Sequence, residues 1–377
     1  MTLTWEDLAA RALARQLPVD GPPPQGPDDV AAALRAMGPI QSQTARSSFL
    51  GLAARRPGTT HAAITGAFEA ATIVRGSSLR GTVHTVAADH HPLTEAATRL
   101  AHRAYLARLL RTTTSAVDEL WDALEAYAAD PPRTADELHA HLAAWVGARE
   151  GRDPDAVREG VGRSLSYTHG GFVRRPLRGG WHGQGPAGYT TARVPDRRER
   201  VADPAALADL VRLHLAAHGP ASRQDLAWWA GLPLGPVDAA LARLGLAGET
   251  GPDGRTYVDL PHAPAPRGPE TGVRLLPEFD ALMCAYEPSA RERFITADHH
   301  ERLWNKRNAT VLPPLLVDGR ITGWWRATGS AARRPLEVAW LARTRRPRRS
   351  ELDAPVAALE AALDITVTAV TVTRETA

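Results

Sequence analysis

The chain has 377 residues, 44% of them hydrophobic and 23% charged, which is enough for about two to four domains and too apolar for a disordered protein. The formal net charge is +3, and every cation except Lys306 is an arginine, whose planar guanidinium suits phosphate. The single Cys284 excludes an internal disulfide and a cysteine-built zinc site. No apolar run approaches the roughly 20 residues of a membrane span, and the N-terminus has no signal-peptide core, so we predict a cytoplasmic protein.

Helices followed by a hairpin recur along the first two thirds of the chain. In residues 1–114, segments such as VAAALRAM and SSFLGLAARR precede the hairpin ATIVRGSSLRGTVHTVA. In residues 115–200, three helical segments end in a hairpin with the Gly-rich centre RGGWHGQG. Residues 201–262 repeat this order, which is that of a winged helix.

The third of these units carries the clearest local signals. Ser222 and Asp225 form a capping-box pattern at the start of a helix that Gly231 ends. The next helix starts near Pro236, and Pro-Asp-Gly at 252–254 separates two short strands.

Residues 263–377 are rich in β-forming segments, and Asp318-Gly319 marks a two-residue hairpin turn. Of the adjacent Trp324 and Trp325 on the following strand, at least one should face the core. We therefore predict an α+β protein in which three tandem winged-helix units form a concave DNA-binding surface, followed by a small antiparallel β-barrel.

The strongest candidate for chemistry is the stretch GPIQSQT at residues 38–44. Pro39 ends the preceding helix and Thr44 is placed to cap the next one, which leaves Gln41 and Gln43 in an extended link. Side chains two residues apart on an extended chain point the same way, so two amides can converge on one point near a helix N-terminus. The alternative is that both glutamines simply face solvent.

Tandem winged helices with arginine-bearing wings point to nucleic acid. A sequence-reading regulator needs Arg, Asn or Gln along its recognition helix. The third unit offers only Asp238 and Arg243 there, whereas the second has Arg158, Arg163 and Ser164. A non-catalytic winged-helix transcriptional regulator therefore stays open as the alternative function.

Six stretches occur along the chain in this order: GPIQSQTARSSFLGLAARRPG, LRGTVHTVAADHH, RPLRGGWHGQGPAGY, HGPASRQDLAWWAGL, LLPEFDALM and PPLLVDGRITGWW. With them the chain resembles the AlkZ/YcaQ-type winged-helix DNA glycosylases over nearly its whole length. The resemblance implies three winged helices and a β-barrel around a concave DNA cleft, with a Gln-x-Gln motif in AlkZ-like members. Gln41 and Gln43 match that motif, while Ser42 departs from its usual aliphatic middle residue.

The resemblance further implies removal of N7-alkylated guanine from double-stranded DNA and, in some members, unhooking of interstrand crosslinks as self-resistance. Because the alkylated base is already cationic, no acid is needed to protonate it as it leaves. Catalysis then requires only two amide oxygens that position a water molecule and face the positive charge of the oxocarbenium ion. We predict a monofunctional glycosylase, because the lone Lys306 disfavours a lyase that needs an amine. We also predict that the protein acts as a monomer. An open cleft suits a crosslinked base that cannot flip freely.

Seven further residues are candidate DNA contacts, in the loop after the motif and in the first two hairpins: Arg46, Arg80, His84, Arg174, Arg178, Trp181 and His182. The structural alternatives are an outward-facing strand for His84, packing at a domain seam for Trp181, and a solvated basic face for the arginines. None of the histidine clusters has metal-ligand spacing, so we predict neither a metal site nor a cofactor.

Overall fold

The computed structural model of the protein describes residues 2–17, 21–265, 270–305, 310–329 and 331–375. It contains both helices and antiparallel sheets, which confirms the predicted α+β class. Lys306, on which the prediction against a lyase depends, lies outside the described residues. Within these ranges, no helix combines the length and the apolar content that crossing a bilayer requires.

The α-helices are α1 (Trp5–Gln16), α2 (Pro27–Met37), α3 (Ser47–Arg55), α4 (His61–Glu69), α5 (His91–Leu110), α6 (Thr114–Tyr127), α7 (Ala135–Glu150), α8 (Pro154–Gly160), α9 (Arg197–Ala202), α10 (Ala206–His218), α11 (Arg223–Ala230), α12 (Leu234–Leu244), α13 (Ala281–Cys284), α14 (Ala297–Leu303) and α15 (Asp353–Leu363). The strands are β1 (Ile40–Gln41), β2 (Ile73–Ser77), β3 (Val83–Ala87), β4 (Phe172–Pro176), β5 (Ala187–Thr191), β6 (Ala221–Ser222), β7 (Gly248–Thr250), β8 (Thr256–Val258), β9 (Val273–Leu275), β10 (Trp304–Asn305), β11 (Thr310–Val311), β12 (Pro314–Val317), β13 (Arg320–Ala327), β14 (Arg333–Trp340) and β15 (Thr366–Arg374).

The first two predicted hairpins share one sheet. Its strand order is β1-β3-β2-β4-β5, so strands from residues 1–114 and 115–200 lie side by side. Strands β2 and β4 meet through a single pair, Gly76 opposite Val173. A Cβ on Gly76 would lie 2.4 Å from the Phe172 carbonyl oxygen, so only glycine permits this approach.

Several local predictions are confirmed by the backbone. Ser222 and Asp225 form the expected capping box of α11, and Gly231 ends that helix in the left-handed conformation. Asp318 and Gly319 both have positive φ between β12 and β13, as a two-residue hairpin turn requires. Trp325 is buried, and its indole N–H donates to the Leu276 carbonyl at 2.8 Å.

Helix α5 has no counterpart among the predicted elements. Its buried face includes polar residues such as His91, Thr94 and Glu95, which interrupt the apolar periodicity that marks a helix in sequence. The helical segment predicted after Asp153 is also shorter than expected, because α8 ends at Gly160.

The C-terminal sheet has the order β15-β14-β13-β12-β9. Its first four strands in the chain, β9 and β12 to β14, pair antiparallel as predicted, but β14 and β15 are parallel. The cause is α15, which lies between those two strands in the chain and forms the crossover that a parallel pair needs. In the part of the chain described here, β9 and β15 are unpaired edges, so the sheet is open rather than a closed antiparallel barrel.

The N-terminal helix packs against residues about 250 positions away. The Leu3 amide donates to the Thr250 carbonyl at 2.8 Å, and Leu3 packs with Leu8 and Tyr257 in a small buried cluster. Arg15 forms an ion pair with Asp259, with Nη2–Oδ distances of 2.7 and 2.8 Å.

We predict that Gly76→Ala destabilises the protein by about 1–3 kcal/mol, because the added methyl overlaps the fixed Phe172 carbonyl and pushes β2 and β4 apart. Denaturant unfolding measures the loss. Gly160→Ala is the matched control, since nothing lies within 4 Å of its Cβ. Equal stability of the two variants would contradict the close contact of the strands.

Candidate active site

The Gln-Ser-Gln stretch lies at the edge of the first sheet. Gly38 ends α2 with φ 78°, and the chain then extends as β1 along β3, with Gln41 opposite His84. The Ser42 amide continues this pairing by donating to the Val83 carbonyl at 2.7 Å. The predicted extended link is therefore a short strand.

Gln41 is buried, and its side-chain oxygen is held by Arg80. Arg80 Nη2 donates to Gln41 Oε1 at 2.7 Å, while Nη1 donates to the Trp229 carbonyl at 2.7 Å. That carbonyl belongs to the last turn of α11, where the helix dipole favours a cation. Arg80 thus connects the candidate motif to the third predicted winged helix.

The backbone of Arg80 is itself unusual. Its φ of 57° is left-handed, and a Cβ on Gly231 would lie 2.9 Å from the Arg80 Cα. Burial lowers the pKa of Arg80. In this structure Arg80, predicted as a DNA contact, donates hydrogen bonds to Gln41 and Trp229, and its contact with DNA stays a prediction.

Gln43 is exposed and lies where the chain bends after β1. Its Oε1 accepts from the Val83 amide at 3.2 Å, at the start of β3. Each amide oxygen accepts one protein donor and retains a second lone pair. The two amide oxygens thus accept from Arg80 and from Val83, and Gln41 is buried whereas Gln43 is exposed.

Ser42 is fully buried and lies in a chain of three hydroxyls. Its Oγ lies 2.9 Å from Thr85 Oγ1, which lies 2.6 Å from Ser48 Oγ on α3. These hydrogen bonds account for a polar middle residue where the family motif is usually aliphatic. The sequence offers no local signal for them, because Thr85 is 43 positions from Ser42.

Arg75 holds the other side of the same loop. Its Nε donates to the Ser42 carbonyl at 3.0 Å, and its Nη2 donates to the Gln43 carbonyl at 3.3 Å. The loop is therefore fixed through both its side chains and its carbonyls. Arg75 was not among the residues predicted from sequence.

The expected helix cap at Thr44 is corrected by the structure. Helix α3 begins only at Ser47, because a turn at residues 45–46 intervenes and Arg46 occupies the N-cap position without a side-chain cap. The Thr44 carbonyl, rather than its hydroxyl, accepts the Ser47 amide at 3.0 Å. Arg46 pairs with Glu278, which is 7% exposed.

His84 lies opposite Gln41 on β3 and is 2% exposed, so it is buried in this conformation and its contact with DNA stays a prediction. Burial, followed by the charge of Arg80, lowers the pKa of His84 to about 3, so the ring is neutral near pH 7. Its Nδ1 lies 3.4 Å from the Thr82 carbonyl.

The second hairpin folds back on α4. Trp181 stacks on Phe68 with ring centroids 4.6 Å apart and a 5° interplanar angle, and His182 Nδ1 lies 2.9 Å from His61 Nε2. In this conformation Trp181 packs at the seam between the second hairpin and α4, as the structural alternative for this residue predicts. DNA contact by either residue stays a prediction.

The two arginines predicted in this hairpin differ in exposure. Arg178 is exposed at the tip, whereas Arg174 is half-buried and donates from Nη2 to Ser77 Oγ at 3.1 Å. Among the described residues, no group of three His, Cys, Asp or Glu side chains is arranged to hold a metal ion.

A family model for AlkZ-like DNA glycosylases matches residues 34–362, a range that runs from α2 through the motif to α15. The chain belongs to the AlkZ-like DNA glycosylase family. It is a DNA glycosylase, and its macromolecular partner is DNA. A search of curated proteins found no match.

The fold has a counterpart among solved structures. The Streptomyces sahachiroi DNA glycosylase AlkZ superimposes with a TM-score of 0.77 at 19% sequence identity. The superposition covers 99% of this chain and 100% of that chain. This AlkZ-like glycosylase and that protein therefore have similar folds throughout.

We predict that Thr85→Val destabilises the protein by about 1–3 kcal/mol for each hydroxyl left without a partner, because Ser42 and Ser48 are both fully buried. Thr85→Ser keeps the hydroxyl and is the matched control. Chemical denaturation of both variants measures the difference. A Thr85→Val protein as stable as the control would show that this hydroxyl chain does not support the loop.

Stability should fall steeply in mild acid. Burial lowers the pKa of His84 and His91 to about 3 and that of His214 to about 4, against about 6.5 in the unfolded chain. The unfolded state then binds more protons, so stability rises with pH. From pH 6.5 down towards 4, up to about 4 kcal/mol per pH unit is lost for three such groups. Unfolding followed as a function of pH tests this, and a flat profile between pH 6 and 4 would contradict the neutral burial of these rings.

Proposed function

We propose that the protein hydrolyses the N-glycosidic bond of N7-alkylguanine in double-stranded DNA, including bulky natural-product adducts and interstrand crosslinks. Its role would be DNA repair or self-resistance in a cell exposed to such alkylators. The observation that supports this proposal is that both amide oxygens accept hydrogen bonds from one short segment, Gln41 from Arg80 and Gln43 from the Val83 amide, with Gln43 exposed.

The chemistry needs no acid. Alkylation at N7 makes the guanine cationic, so the glycosidic bond is weakened and the departing base is neutral. What remains is to position a water and to stabilise the developing oxocarbenium charge. Amides do not titrate near neutral pH, and their oxygens supply the negative end of a dipole.

The hydrogen bonds of the two glutamines suit this role. Arg80 and the Val83 amide each occupy one lone pair of a glutamine oxygen, which fixes its direction. The second lone pair of each oxygen is left for a water or for the sugar. We propose that the exposed Gln43 approaches C1′ and that Gln41 completes the water site.

We further propose that the enzyme is monofunctional and monomeric, and that it leaves an abasic site. Among the described residues, the groups that donate to the two amide oxygens are the Arg80 guanidinium and the Val83 backbone amide, and neither is an amine nucleophile.

At the level of the fold, we propose that residues 1–114, 115–200 and 201–262 act as three winged-helix units and that residues 263–377 act as a β-barrel-like domain. The helix-then-hairpin order of each unit supports this division. DNA would then contact the exposed Arg178 and the half-buried Arg46 and Arg174, with Trp181 and His182 at the second hairpin.

A base-release assay tests the substrate. The purified protein is incubated with a duplex that carries one N7-alkylguanine, and separately with one that carries an interstrand crosslink, before mild alkali cleaves the abasic sites. We expect strand cleavage at the modified guanine in both. Retention of both substrates intact, with binding preserved, would overturn the proposed substrate class.

We predict that Gln43→Ala lowers the rate of base release by about 10²–10³-fold, because it removes one oriented amide from the reacting sugar. Gln43 is the better position to change, since Gln41→Ala would also leave Nη2 of the half-buried Arg80 without its acceptor. Single-turnover rates measure the effect.

The control is Gln25→Ala, which alters another exposed glutamine outside the motif. Binding to undamaged duplex should be unchanged in both variants. Full activity in Gln43→Ala would exclude this residue from the reaction.

A further inference from the structure

Two arginines face each other across the junction of β2 and β4. Beyond the pair formed by Gly76 and Val173, the next residues along the two antiparallel strands are Arg75 and Arg174. Like charges at opposing positions of a strand pair repel each other. Burial, and then the charge of Arg174, lowers the pKa of Arg75 to about 10.

In the part of the chain that the structure describes, no carboxylate forms an ion pair with either guanidinium. Over the described ranges, Arg75 donates to the Ser42 and Gln43 carbonyls and Arg174 donates to the Ser77 hydroxyl, and all three acceptors are uncharged. Arg174 also lies over an aromatic ring, 5.2 Å from the centroid of Tyr189. Its buried Nε has no acceptor, so several of the five N–H donors of this side chain are unused.

The pair lines a cleft of about 260 Å³ between the diverging ends of β2 and β4. Arg175 and Arg193 also line this cleft, while its carboxylates are Glu69 and Asp130, both exposed. Four guanidiniums against two carboxylates leave the cleft with an excess of positive charge. An anion is the ligand that this arrangement favours.

The position of the pair indicates which anion. Arg75 touches the Gln43 carbonyl directly, so the cationic pair begins at the motif and extends along the sheet to Tyr189. An enzyme that develops positive charge on a sugar is opposed by nearby guanidiniums unless an anion lies between them. A nucleotide with its C1′ at Gln43 carries a phosphate on either side, within a few ångströms of the sugar.

We infer that Arg75 and Arg174 together bind one phosphodiester of DNA, immediately beside the nucleotide whose base is removed. The inference rests on the proposed function for which phosphate is bound, because that function places the reacting sugar at Gln41 and Gln43. Bound there, the phosphate neutralises the pair and fixes the strand relative to the motif.

The test is a scan with neutral phosphates. Duplexes carry a tetrahydrofuran abasic analogue and a single methylphosphonate, placed in turn at each phosphate around the analogue, and binding is measured by fluorescence anisotropy. With the wild-type protein, we expect one position next to the analogue to weaken binding about tenfold, the loss of one charge-assisted contact.

Arg174→Gln is the test variant, because changing Arg75 would also release the loop carbonyls. It should bind the fully charged duplex about tenfold more weakly, show no further loss at that position, and reduce the salt slope by about one. Arg174→Lys keeps the charge and should restore part of the affinity. Arg212→Gln, which removes an exposed arginine of α10 paired with Asp209, should keep the full loss at that position.

The outcomes separate this site from the proposed substrate. An Arg174→Gln protein that loses the same factor as the wild type at every methylphosphonate would overturn the phosphate site, even if base release is normal. If Arg174→Gln removes the methylphosphonate effect at one position, and the protein does not release N7-alkylguanine, the phosphate site would be supported and the proposed substrate overturned.

Discussion

The hydrogen bonds of Arg80 connect the candidate site to the rest of the molecule. One end of its guanidinium holds Gln41, and the other holds the Trp229 carbonyl, 149 positions further along the chain. The left-handed backbone of Arg80 and the close approach of Gly231 leave little freedom at this junction. The last turn of α11 and the amide of Gln41 are therefore linked through one planar guanidinium.

The short-range features of this fold follow from sequence, whereas the supports of the site do not. The capping box at Ser222 and the turn at Asp318 depend on residues a few positions apart, so their chemistry is visible in the sequence. The extended link at Gln41 also followed from a neighbouring proline. Arg75 and Thr85 act on the same loop from strands more than 30 positions away, and no local pattern reveals such partners.

Two further differences have the same origin. Arg80 carries the charge expected of a DNA contact, and its hydrogen bond to the carbonyl of a distant helix, which no local pattern reveals, gives it a structural role as well. Thr44 has the side chain of a helix cap, yet the intervening turn at Arg46 moves the helix start to Ser47. The residue types were informative in both cases, and the three-dimensional neighbours decided what they do.

The loop is held by hydrogen bonds, which depend on direction, rather than by apolar packing that fills space. An aliphatic residue at position 42 would hold the loop by filling space, and apolar packing tolerates small shifts. Ser42 instead reaches α3 through the Thr85 hydroxyl, and a hydrogen bond weakens as its distance and angle change. The two glutamines are consequently held in one register with β3 by contacts that a slip of the loop would break.

The N-terminal helix has a consequence for how the chain acquires its structure during synthesis. Its partners Thr250, Tyr257 and Asp259 leave the ribosome only after two thirds of the chain has been made. At about 5–20 residues per second, α1 waits more than ten seconds for the surface that buries Leu3 and Leu8. Helix α1 is thus translated long before the surface that buries Leu3 and Leu8, and in the meantime its amphipathic face is exposed on the nascent chain.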